Sequence, residues 1–111
     1  MLSSFNIIKR GNKMLPQKRR PTHPGEILKY EFLEPLKMSQ KQLADAIDLD
    51  STYIKEIIQC NRSLTPDIAF RLAKYFNTSA EFWMNLQINL DMWETLQSHK
   101  NEYERIASIY T

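Results

Sequence analysis

Residues 40–59 read Gln-Lys-Gln-Leu-Ala-Asp-Ala-Ile-Asp-Leu-Asp-Ser-Thr-Tyr-Ile-Lys-Glu-Ile-Ile-Gln. Leu43, Ala44 and Ile47 fall on one face of a short helix, since residues three and four apart share a face. Leu49 follows in a turn, and Ile54, Ile57 and Ile58 form the inward face of a second helix. Helices that cross steeply must approach closely, and Ala44 supplies the small side chain needed where they touch. With those positions buried, Asp50, Ser51, Thr52, Lys55, Glu56 and Gln59 point outward from the second helix. The pattern predicts a helix-turn-helix, whose second member enters the major groove of DNA with its N-terminal end toward the bases.

Helix signals continue on both sides. Thr22 or His23 caps a first helix with Pro24 in its first turn, and Ile27, Leu28, Phe32 and Leu33 form its apolar stripe. Pro35 should end that helix, because an interior proline removes a hydrogen bond and clashes with the preceding turn. Ser39 with Gln42 forms a capping-box pattern before the helix-turn-helix. Ser51 is read as the cap of the recognition helix, in addition to any contact with DNA. Thr65-Pro66 opens a fourth helix to about Phe76, with Ile68, Leu72 and Phe76 inward. Ser79 caps a fifth over residues 80–87, and a last helical stretch runs from Leu90 to about Ile109. Two glycines and no strand-like alternation complete the case for an all-α fold: a compact bundle of five to six short helices containing a helix-turn-helix.

The formal charge of +2 conceals a division. Residues 1–25 hold six bases (Lys9, Arg10, Lys13, Lys18, Arg19, Arg20) and no acid, leaving nine bases against all thirteen acids in the other 86 residues. The expected organisation is a basic, unstructured arm over 1–21, a helix-turn-helix domain over 22–90, and a helical extension over 91–111 for dimerisation or partner contact. Lys18, Arg19 and Arg20 are the arm's candidates for phosphate neutralisation, against a bland reading as a solvated tail. They also survive if translation starts at Met14 rather than Met1. One cysteine, Cys60, excludes an internal disulfide and fits a reducing cytoplasm. With two histidines 76 positions apart, read as surface or capping residues, no metal or cofactor is expected. No signal peptide or apolar run of roughly 18 residues suggests export or a membrane span.

Three blocks in order narrow the family: His23-Pro-Gly-Glu-Ile-Leu; the helix-turn-helix from Ser39 to Gln59; and Leu64-Thr-Pro-Asp-Ile-Ala-Phe-Arg-Leu-Ala-Lys-Tyr-Phe running into Glu81-Phe-Trp-Met-Asn-Leu-Gln. This combination resembles the HigA-type antitoxins of the Xre-like helix-turn-helix superfamily, also labelled virulence-associated protein I, over about residues 22–93. The resemblance implies a homodimeric repressor of its own operon, bound to double-stranded DNA at a palindromic operator. It also implies a protein partner, a HigB-type toxin acting as a ribosome-dependent messenger-RNA endonuclease, which the antitoxin neutralises without catalysis of its own. The family commonly carries glycine where this sequence has Lys37, Asp48, Cys60 and Asn77. Glycine suits such turns because a left-handed backbone costs it nothing sterically. Asp and Asn tolerate that region, whereas Lys37 and Cys60 fit it less easily, so those turns are expected to be rearranged or strained.

Ser51, Thr52 and Lys55 are the candidates for base edges or nearby phosphates, since hydroxyls donate and accept there and lysine reaches guanine acceptors. Gln59 either bonds a base, the favoured reading, or is a solvated helix end, and Gln40 is assigned a phosphate at the start of the first member. Arg62, in the loop after the recognition helix, is a better phosphate contact than Lys41. Tyr53 either stacks on a sugar or thymine methyl or packs on the body. Asp50 lies at the same surface, but its carboxylate and that of Glu56 oppose phosphates, and Glu56 is assigned an ion pair or selection against wrong sequences. Phe82, Trp83, Trp93 and the tyrosines read as core rather than a cofactor box, with some C-terminal apolar surface left to close a homodimer. The competing readings are a stand-alone Xre-like regulator without a toxin, or an interaction module that has lost DNA binding. No phosphate loop, paired catalytic carboxylates or Cys/His nucleophile pair supports an enzyme.

Overall fold

Capping residues set the helix starts. The computed structural model describes residues 19–110. His23 caps α1, which begins with Pro24–Ile27 and continues to Leu36; its Nδ1 accepts from the Gly25 N–H at 2.9 Å, and Pro24 takes the first helical position. It is a buried cap rather than a surface residue. Ser39 begins α2 (Gln40–Ala46) with the full capping box, its Oγ accepting from Gln42 N–H while Gln42 Oε1 accepts from Ser39 N–H. Thr65 caps α4 (Pro66–Phe76), and Ser79 Oγ accepts from the Phe82 N–H at the start of α5 (Ala80–Glu104). Between α2 and α4 lies α3 (Ser51–Ile58), and no strand occurs among the described residues.

Three boundaries differ from expectation. α1 does not stop before Pro35: an α-helical turn, Pro24–Ile27, widens into a π-helix, Leu28–Leu33, and closes with Glu34–Leu36. The Glu34 N–H bonds to the Lys29 carbonyl, five residues back. This change of register lets Pro35 occupy the first turn of a new short segment, where its missing N–H is not needed. The fifth and sixth helices expected at 80–87 and from Leu90 form the single element α5, because no Gly or Pro interrupts the segment near Ile88 and Asn89. Its backbone leaves helical geometry at His99 (φ −120°, ψ 15°), and it ends at Glu104 rather than near Ile109.

The described residues divide into two compact units, Thr22–Asn89 and a second that joins the segment ending at Pro21 to Leu90 onward. In the first, Leu28, Leu43, Ala44, Ile54, Ile57, Leu72 and Trp83 are fully buried. Phe32 packs with ring centroids 4.7 Å from Phe76 and 4.9 Å from Trp83. The Trp83 Nε1–H donates to Thr78 Oγ1 at 2.8 Å, so burying the indole leaves its donor satisfied. Phe82 is only partly core, lying edge-on to Trp83 and about two-fifths exposed.

Four helix ends share one device. Lys37, Asp48, Cys60 and Asn77 have φ of 53°, 60°, 62° and 57°. After each, the next N–H bonds five residues back: Met38 to Leu33, Leu49 to Ala44, Asn61 to Glu56 and Thr78 to Ala73. This is the Schellman closure, which satisfies helix-terminal carbonyls through a left-handed residue. The turns at Lys37 and Cys60 are therefore not rearranged; their side chains occupy the conformation that glycine would take.

Candidate nucleic-acid interface

α2 and α3 form the helix-turn-helix, with Leu43, Ala44, Ile47, Ile54 and Ile57 buried between them and the body. Asp50, not Ser51, is the N-cap of α3: its Oδ1 accepts from the Thr52 N–H at 2.8 Å. Asp50 precedes the first helical residue in extended backbone (φ −65°, ψ 136°), the geometry from which a short side chain reaches back to the first turn. That backbone hydrogen bond, followed by one from the Thr52 side chain and the nearby Lys41 charge, holds its carboxyl below the usual carboxylate range. Asp50 is thus an anion at neutral pH, already occupied at the helix terminus.

Ser51, Thr52, Lys55 and Gln59 are exposed along the outward side of α3, and Gln40 is half-buried at the first position of α2. Ser51, Lys55 and Gln59 make no side-chain hydrogen bond or ion pair among the described residues. Arg62 stands differently. Its Nε donates to Glu56 Oε1 at 2.7 Å, and its guanidinium carbon lies 4.4 Å from the centroid of the Tyr53 ring. Glu56 is therefore an ion-pair partner, and Tyr53 serves as a platform for the guanidinium. Asp50 and Glu56 are balanced by Lys55 and Arg62, so this surface is near neutral.

Of the arm candidates, Arg19 and Arg20 are among the described residues. Lys18 lies outside the described residues. Arg19 is exposed, and Arg20 donates from Nε and Nη2 to Glu94 Oε2 at 3.1 and 2.6 Å. Among the described residues no group of His, Cys, Asp and Glu could hold a metal ion, and no helix is long and apolar enough to cross a membrane.

Three supporting residues carry no local signal. Arg71 on α4 donates through Nη1 to the carbonyls of Ile47 (2.8 Å) and Asp48 (3.1 Å), while Nε bonds to both carboxylate oxygens of Asp67. A cation on the last carbonyls of α2 satisfies terminal acceptors and complements the helix dipole. Arg71→Met is expected to cost about 1–2 kcal/mol in urea unfolding and to shift the amide resonances of Asp48 and Leu49. Unchanged stability and resonances would remove this role. Gln87, 3% exposed, accepts from the buried Leu64 N–H at 2.8 Å and anchors the loop after α3. Gly25 packs so closely on α3 that a Cβ there would lie 1.8 Å from the Ile57 carbonyl oxygen.

Comparison with known proteins agrees with this geometry. The helix-turn-helix family model HTH_3 matches residues 29–83. The HTH-type transcriptional regulator YbaQ of Escherichia coli K12 is 43% identical over 93 residues, covering 84% of this chain and 81% of YbaQ. Antitoxin HigA-1 of Vibrio cholerae is 34% identical over 97 residues, covering 87% and 91% of the two chains. The solved structure of Pseudomonas aeruginosa antitoxin HigA with the higBA promoter superposes with a TM-score of 0.78 at 36% identity, covering 81% of this chain and 99% of that one. These are helix-turn-helix proteins and not enzymes. The three sequence blocks, the buried helix-turn-helix and these likenesses agree, and the chain belongs to the HigA-type, VapI-like antitoxins of the Xre-like helix-turn-helix family.

Proposed function

We propose that this protein is a sequence-specific DNA-binding antitoxin that represses its own operon as a homodimer. The observation that carries the reading is the outward side of α3, where Ser51, Lys55 and Gln59 have no partner among the described residues while Ile54 and Ile57 on its other side are buried. Polar side chains in that position can bond base edges in the major groove. Gln40 and Arg62 suit phosphates, and Asp50 and Thr52 order the helix end that approaches the bases. The likeness to Pseudomonas aeruginosa HigA, solved with the higBA promoter, supports a DNA-binding role. In this reading the cytoplasmic dimer pairs two recognition helices with a palindromic operator. Exposed apolar residues such as Met92 and Ile106 support an interface on the C-terminal extension. The protein partner is a HigB-type endonuclease toxin, which the complex neutralises.

The test is a fluorescence titration of the full chain against a duplex from its own upstream region and a scrambled duplex. Joint Ser51→Ala and Lys55→Ala substitution should reduce discrimination between them by about tenfold or more. Arg62→Ala should weaken binding to both duplexes alike and flatten the salt dependence by about one unit. Binding indifferent to these changes and to salt would sink the assignment. Co-purification with the product of the neighbouring gene tests the toxin; a chain that binds its operator yet captures no such product is a stand-alone regulator.

A further inference from the structure

At about 100° per residue, Thr52, Glu56 and Gln59 lie within about 60° of one another, on the side of α3 opposite Ile54, Ile57 and Ile58. A carboxylate thus lies beside Thr52 on the surface assigned to DNA. Alone it would repel phosphates. It is not alone: Arg62 returns from the loop, bonds Glu56 through Nε at 2.7 Å, and lies 4.4 Å over the Tyr53 ring.

We propose that Glu56 is a positioning residue that presets Arg62 as a fork for a DNA phosphate. The inference rests on the DNA-binding role proposed above. Two contacts fix the guanidinium. The Nε bond sets its position and rotation, and the Tyr53 face sets its plane. Both use parts of the group other than the terminal Nη edge, and Arg62 makes no other hydrogen bond among the described residues. That edge can make two parallel N–H···O bonds to phosphate oxygens. The rotamer freedom of a long side chain is then already reduced before DNA arrives, so less is lost on binding. Glu56 therefore favours DNA binding despite its charge, and its effect passes wholly through Arg62.

Simple repulsion predicts the opposite sign, which makes the proposal testable. The full chain carrying Glu56→Gln, Arg62→Ala, or both is titrated against the upstream duplex and the scrambled duplex, with thermal melts confirming that each variant folds. Glu56→Gln should weaken binding to both duplexes by about fivefold, although it removes a negative charge. In the Arg62→Ala background the same substitution should instead strengthen binding, because the carboxylate there has lost its cation. Arg62→Lys should weaken binding as Glu56→Gln does while leaving the salt dependence unchanged, since an ammonium keeps the charge but not the planar fork. Tighter binding by Glu56→Gln alone, or an effect of the same sign and size with and without Arg62, overturns the proposal. A wild-type chain that binds neither duplex overturns the DNA-binding role, and with it this inference.

Discussion

Gly25→Ala is expected to destabilise the protein by about 3–5 kcal/mol, a large part of the stability of a domain this size. The added Cβ would stand 1.8 Å from the Ile57 carbonyl oxygen, 2.7 Å from its carbonyl carbon and 3.1 Å from the Ile58 Cα. All three are backbone atoms, so no side-chain rotation relieves the clash. α1 would have to lift from the C-terminal end of α3, opening the core where Leu28, Ile54 and Ile57 are fully buried. The requirement is proximity and not backbone conformation, for no described glycine has positive φ. Urea unfolding of the variant measures the loss. A change below about 1 kcal/mol would show that the two helices do not need this approach.

Replacing Lys37, Asp48, Cys60 and Asn77 together by glycine should stabilise the protein by about 2–3 kcal/mol and raise Tm by about 10 °C. Each holds a left-handed backbone that costs an ordinary residue about 1–2 kcal/mol. Glycine removes that cost but gives back about 0.5–1 kcal/mol, because its unfolded chain has more freedom to lose. The gain should be larger at Lys37 and Cys60 than at Asp48 and Asn77, whose short polar side chains tolerate the region better. Single-variant thermal melts read this order directly. Neutral or negative effects at both Lys37 and Cys60 would mean that their side chains contribute contacts outweighing the strain.

Where most helices begin and which faces turn inward were legible in the sequence, because each is governed by neighbours in the chain, whereas the left-handed turns were located through the family resemblance. Ser39 with Gln42, Thr65 with Pro66, and the spacing of Leu43, Ala44, Ile54 and Ile57 have their predicted roles. Ser51 misled as the cap because Asp50, one residue earlier, offers an equally good acceptor, and only the helix boundary chooses between them. Pro35 misled because a π-turn upstream, absent from any local propensity, changes the register in which the proline sits.

The outward residues of α3 were likewise legible from periodicity, but their states were not. Lys55 and Arg62 look alike as two cations near a recognition helix. Folding leaves Lys55 without a partner among the described residues and commits Arg62 to Glu56 and Tyr53. Arg20 similarly looked like part of a free basic cluster, yet it pairs with Glu94, seventy-four residues away. Sequence alone determined the helical fold and the helix-turn-helix, since hydrophobic period and helix capping act over a few residues. Tertiary structure decided which charges are paired, why Gly25 must be glycine, and how Arg71 and Gln87 hold the helix-turn-helix and the loop behind it. Those outcomes depend on distances between segments far apart in the chain, which no local pattern encodes.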